Sequence, residues 1–226
     1  MVKAVIFDLD GTLLNRKASV ASFIENQYER LLVYLSHIQK DSYVKRFIEL
    51  DNDGYVWKDK VYSQLIKEYK ISGISTEDLL EDYLTEFKHH CKAFENLKEM
   101  LSQLKKQELS IGMITNGFGQ FQLDNIRALN ITEYFDVISI SEWEGIKKPN
   151  PQIFERTLKR LGVKATESVF IGDHPKNDIE AAKSIGMIAI LKSDLTYKTA
   201  QADYIVNNLI EIPRIVQVME KEKNSI

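Results

Sequence analysis

The sequence predicts an α/β chain, a doubly wound parallel sheet with a helical block inserted after its first strand. Three observations carry this. Val2, Ala4, Val5, Ile6 and Phe7 form an apolar run broken only by Lys3, and Gly11 bounds it. Such a run suits a strand buried on both faces of a parallel sheet. From Phe94 onward apolar strand patterns alternate with helical ones, the mark of βαβ units. Between these two parts, over 17–90, every apolar repeat is helical and no strand pattern occurs.

The first strand runs into Asp8-Leu9-Asp10-Gly11-Thr12. While the chain stays extended, residues i and i+2 share a side, roughly 6 to 7 Å apart. Two carboxylates that close repel unless a proton or a cation neutralises them. Gly11 permits a sharp turn or a close ligand, and Thr12 adds a hydroxyl donor. An Asx-type turn closing an ordinary strand is the plainer alternative.

In the helical block, Phe23, Ile24, Tyr28, Leu31, Leu32 and Leu35 recur at three- and four-residue steps. Val44, Phe47 and Ile48, then Val61, Leu65 and Tyr69, mark shorter helices separated by the turn Asp51-Asn52-Asp53-Gly54. Ser75 caps a helix that carries Leu79, Leu80, Tyr83, Leu84 and Phe87. Helices then follow over Leu97–Leu104, Phe121–Leu129, Pro151–Leu161, Ile179–Ile185 and Ile212–Glu222. Strands are read at Leu109–Ile114, Phe135–Ile140, Ser168–Ile171, Met187–Leu191 and Tyr204–Val206. Pro151 near a start and Gly162 past an end follow the usual asymmetry of helix termini.

Composition narrows the function classes. The chain has 226 residues, 44% hydrophobic and 28% charged, with a net charge of −3 and no long single-sign run. Nothing in this favours a nucleic-acid polymer as partner. The single cysteine, Cys91, makes no internal disulfide and suits a reducing compartment. No apolar run approaches the ~18 to 20 residues of a membrane helix. Asp8 and Asp10 stand where a signal peptide would be apolar, so a cytoplasmic location is expected.

Polar residues collect where strands stop: Asp8 and Asp10 after the first, Thr115-Asn116 after the second, and Asp173 and Asp178 after the strand that ends at Gly172. Lys147-Lys148-Pro149 precedes the helix leading into that last strand. Parallel sheets gather such ends into one cleft. Carboxylate oxygens without His or Cys suit a hard cation such as Mg²⁺, while a lysine and a Thr/Asn pair suit an anion beside it. Together they point to phosphate chemistry.

DLDGT at 8–12, TN at 115–116, KKP at 147–149 and GDHPKND at 172–178 resemble, in order, the four motifs of the haloacid dehalogenase-like hydrolase superfamily. The resemblance implies a Rossmann-like catalytic core over 1–16 and 91–226 and an α-helical cap over 17–90. It implies Asp8 as the nucleophile that forms an aspartyl-phosphate, and Asp10 as the acid and base, with its backbone carbonyl on Mg²⁺. Thr115 and Asn116 would bind the substrate phosphate. Lys148, directly before proline as in the family, would neutralise phosphate and nucleophile. Asp173 would hold the metal directly and Asp178 through water. An Asp at position 10 fits an oxygen leaving group that needs a proton, hence a phosphatase and not a dehalogenase.

The expected substrate is a small phosphorylated metabolite, with a nucleoside monophosphate among the candidates, and the expected form is a monomer or homodimer. The block over 17–90 would act as a lid. Its aromatics mostly fill a bundle core, with Tyr55 and Trp57 as the exceptions available for stacking. The alternatives are a phosphomutase of the same superfamily, a receiver-type phosphoacceptor signalling domain, or a non-catalytic protein that keeps the fold. His89-His90-Cys91 reads as a hinge or helix end, His174 as a loop-shaping or substrate-touching residue, and 221–224 as a solvated end.

Overall fold

The computed structural model describes residues 1–193 and 201–223, without the side chains of 220–223. The reading of 221–224 as a solvated end therefore lies outside the described residues. The chain forms two compact units, Met1–Asn15 with Ala93–Ile226, and Arg16–Lys92.

The larger unit begins with β1 (Ala4–Phe7), whose four residues are all buried. The helical unit follows with α1 (Arg16–Arg30), α2 (Leu32–Leu35), α3 (Lys40–Asp51), α4 (Lys58–Tyr69) and α5 (Thr76–Glu86). The larger unit then resumes with α6 (Leu97–Lys106), β2 (Ser110–Thr115), α7 (Gly119–Ala128), β3 (Val137–Ile140), α8 (Ser141–Glu144) and α9 (Pro151–Leu161). It closes with β4 (Ser168–Gly172), α10 (Ala181–Ser184), β5 (Ile188–Lys192), β6 (Tyr204–Val206) and α11 (Ile212–Lys223).

All strand pairs are parallel, in the order β3-β2-β1-β4-β5-β6. The order runs outward in both directions from β1, so the sheet is doubly wound and its topological switch point lies at the carboxyl end of that strand. A crevice is expected there, because the connections on either side leave in opposite directions. Register sets Ile6 beside Gly112 on one side and Phe170 on the other. Ile6, Ile114, Ile153, Phe154, Phe170, Ile179 and Leu191 form a buried cluster on this sheet. Phe154 of α9 meets Phe170 of β4 edge-on, with ring centroids 5.0 Å apart. Asn150 caps α9 by accepting from the Gln152 N–H at 3.0 Å, and Gly162 ends it at φ +70°.

In the helical unit most of the aromatics go into its own core. Phe23, Tyr43, Phe47, Tyr62, Tyr83 and Phe87 are buried, while Tyr55 is 66% exposed. Ser75 caps α5 reciprocally, accepting from the Asp78 N–H at 3.1 Å and donating its own N–H to Asp78 at 2.9 Å. The apolar repeat read from Phe23 through Leu35 is divided between α1 and α2, and α8 is absent from the sequence reading, since four residues cannot display a helical period. His89 and His90 end a 3₁₀ turn over Phe87–His90.

The buried aromatic pair is what clamps α9 to the sheet. Phe154→Ala should lower stability by about 3–5 kcal/mol in denaturant unfolding. A loss near zero would mean that α9 does not depend on this contact.

Candidate active site

Asp8 leaves β1 at the centre of the sheet, its N–H donating to the Ile171 carbonyl at 2.9 Å. The chain then turns at once: the N–H groups of Leu13 and Leu14 both donate to the Leu9 carbonyl at 2.9 Å. Thr12 Oγ1 donates to Asp8 Oδ2 at 3.3 Å, as a hydroxyl beside the acids was expected to do. Gly11, at φ +83°, lies against Asp173; a Cβ there would sit 2.1 Å from Asp173 Oδ2. Only glycine fits both that backbone and that space.

Of the lysine pair, Lys147 is exposed and Lys148 is buried. Lys148 Nζ donates to Asp8 Oδ1 at 2.5 Å and to Asp178 Oδ1 at 2.6 Å. Its backbone is gripped by Asn116, whose Nδ2 donates to the Lys148 carbonyl at 3.0 Å and whose Oδ1 accepts from the Lys148 N–H at 2.9 Å. The side-chain amide expected to bind phosphate is thus engaged in holding the lysine.

Gly172 ends β4, and Asp178 lies so close that a Cβ on Gly172 would be 2.4 Å from the Asp178 Cβ. A helix over Ile179–Ile185 was expected; instead Pro175–Glu180 forms a wide π-helical turn that leads into α10. His174 sets that turn. Its Nδ1 accepts from the N–H groups of Lys176 at 3.1 Å and Asn177 at 3.0 Å, and its own N–H donates to Asp178 Oδ2 at 3.0 Å. Of its two expected roles, shaping the loop is the one these bonds perform.

One oxygen from each of Asp8, Asp173 and Asp178 lies within 4.8 Å of the others. Asp10 does not join them. Strand alternation ends at Phe7, so the i, i+2 argument no longer governs, and Asp10 Oδ2 accepts from Gln122 Nε2 at 2.7 Å. Gln122 Nε2 also donates to Thr115 Oγ1 at 2.8 Å. The loop between β2 and α7 is braced from α8: the Gly117 N–H donates to Ser141 Oγ at 2.9 Å and the Gly119 N–H to Glu142 Oε2 at 2.7 Å. Gln122, Ser141 and Glu142 escaped the sequence reading. The readable signal for the first was two amides, Gln122 and Asn125, three residues apart on one face of a predicted helix.

The electrostatics follow from three carboxylates sharing one ammonium. Burial pushes the Asp8 carboxyl well above its usual range; Lys148 opposes this, and Asp178 and Asp173 add to it. Burial and the Asp178 charge push Asp173 up to about 7. Burial works against the charge on Lys148, but Asp178 and Asp8 outweigh it and raise its pKa. An oxygen-only donor set with surplus negative charge, walled by a Cβ-free Gly11, fits a hard divalent cation.

Between 3.8 and about 7 the folded chain holds a proton on Asp173 that the unfolded chain has released. Its cation-free stability therefore falls as pH rises through that window. A cation takes the place of the proton, so divalent salt should raise the melting temperature more at about pH 8 than at about pH 5. Gly11→Ala, which displaces Asp173, should abolish that difference. Equal stabilisation at both pH values would contradict the site.

Residues 5–192 match the family described as haloacid dehalogenase-like hydrolase. A glyceraldehyde 3-phosphate phosphatase of Methanocaldococcus jannaschii is 32% identical, with 98% of this chain and 100% of that one covered. Its namesake in Pyrococcus furiosus is 29% identical, with 99% and 95% covered. A crystal structure of a HAD phosphatase from Thermococcus onnurineus superposes with a TM-score of 0.68 at 28% identity, covering 95% of this chain and 98% of that one. With its four motifs meeting at the switch point of the sheet, the chain belongs to the haloacid dehalogenase-like hydrolases.

Proposed function

We propose that the protein is a Mg²⁺-dependent phosphatase that hydrolyses a small phosphomonoester through an aspartyl-phosphate on Asp8. The observation that carries this reading is the division of labour among the acids. One oxygen each of Asp8, Asp173 and Asp178 converges on one point, whereas the Asp10 carboxylate is engaged by Gln122. A nucleophile and an acid–base group need different environments, and here the two acids have different partners.

In this reading an Asp8 oxygen attacks phosphorus, and the substrate alkoxide leaves with a proton from Asp10. Asp10 then takes a proton from water, the oxygen of which attacks the same phosphorus, releasing phosphate and restoring Asp8. Lys148 neutralises Asp8 and the phosphoryl oxygens, and Thr115 donates its hydroxyl to one of those oxygens. Asp8, Asp173, Asp178 and the Asp10 backbone carbonyl would hold Mg²⁺, which supplies charge neutralisation at the transferring phosphoryl group. Asn116 serves by fixing Lys148.

The names of the relatives support a short sugar phosphate as substrate. A nucleoside monophosphate is the second reading, favoured by Tyr55, which stays 66% exposed beside the Gly54 turn when most of its aromatic neighbours enter the core. A cytoplasmic setting fits a chain whose one cysteine, Cys91, can make no internal disulfide.

A screen of sugar phosphates and nucleoside monophosphates should show release of phosphate that chelation abolishes and Mg²⁺ restores. Asp8→Asn should lower kcat by at least about a thousandfold. Full activity in that variant would exclude Asp8 as nucleophile, and faster turnover of nucleotides would overturn the sugar preference.

A further inference from the structure

We propose that Gln122 is a positioning residue for the reaction: one amide group sets Asp10 for proton transfer and Thr115 for phosphoryl binding. This rests on the phosphatase reading above. Gln122 is 2% exposed on α7. Its Nε2 faces three oxygens, Asp10 Oδ2 at 2.7 Å, Thr115 Oγ1 at 2.8 Å and the Asn116 carbonyl at 3.1 Å. An amide nitrogen carries two hydrogens, so the two short contacts take them and the carbonyl shares one.

The direction of the amide is fixed by its surroundings. Asn125, fully buried, donates Nδ2–H to Gln122 Oε1 at 3.2 Å. Flipping the amide would set Oε1 against the Asp10 carboxylate and the Asn116 carbonyl, oxygen on oxygen, and would lose the Asn125 bond. The stem lies against Gly117, in space that a Cβ there would contest at 2.7 Å from Gln122 Cγ.

Each of its two bonds has a chemical consequence. Thr115 Oγ1 already accepts from Gln122, so its own hydrogen is the one it offers, and the hydroxyl is aligned as a donor to a phosphoryl oxygen. Asp10 Oδ2 is tied to the amide, which fixes the carboxyl plane and leaves Oδ1 as the atom that gives and takes the proton. Because these two groups act on opposite ends of the breaking P–O bond, a single side chain sets their separation.

The test compares two leaving groups. Gln122→Met keeps the length of the side chain without the donors, and Gln122→Glu matches it atom for atom with an oxygen in place of the nitrogen. Rates are measured for p-nitrophenyl phosphate, whose leaving group departs without a proton, and for the alkyl phosphomonoester that the unmodified enzyme hydrolyses best. In each variant that melts cooperatively, kcat/KM, which reports the step that expels the leaving group, should fall about tenfold or more further for the alkyl ester than for the nitrophenyl ester. Equal falls for the two esters, or no fall, would overturn the proposal. Failure of the phosphatase reading looks different: the unmodified enzyme would hydrolyse neither ester.

Discussion

Lys148 donates to Asp8 and Asp178 at once, from a position with 3% of its surface exposed. Removing such a cation from water costs several kcal/mol, which two facing carboxylates can offset only when the geometry is held. Much of the surrounding backbone does that holding. Asn116 grips the lysine on both its N–H and its carbonyl. His174 fixes Asp178 through its own N–H while capping the turn that follows.

The same arrangement leaves a charge imbalance. One ammonium cannot neutralise Asp8, Asp173 and Asp178, so burial drives Asp8 and Asp173 toward their protonated forms. A protonated Asp8 is a poor nucleophile. In the proposed reaction a divalent cation held by the cluster would return Asp8 to its ionised state, so the charge imbalance of the cation-free protein and the proposed need for a metal would share one physical origin. The two glycines at the site belong to this account, since a side chain at Gly11 or Gly172 would drive an acid out of place.

The sheet was legible in the sequence because strands buried on both faces write themselves as apolar runs. Motif order placed the polar residues at their ends, and Lys148 was readable over Lys147 as the buried lysine only from its place before Pro149. What escaped was set by tertiary contact. The spacing of Asp8 and Asp10 suggested a pair, but alternation has force only while the strand lasts, and β1 stops at Phe7. Asn116 reads as an anion ligand, yet nothing local says that its amide meets the Lys148 backbone thirty-two positions on. Gln122 shows in the sequence only as one of two amides three residues apart on a predicted helix, and its partners Asp10 and Thr115 come from other elements. The π-helical turn after His174 depends on a ring nitrogen accepting two backbone bonds, which no periodicity displays.

The account stands on Asp8 receiving the phosphoryl group inside this cluster. Rapid quenching during turnover, followed by mass spectrometry of peptides, locates that group directly. A phosphoryl group should be found on Asp8, formed only with a divalent cation present and absent from Asp8→Asn. Turnover with Asp8 never phosphorylated, or the group lodged on another residue, would contradict it.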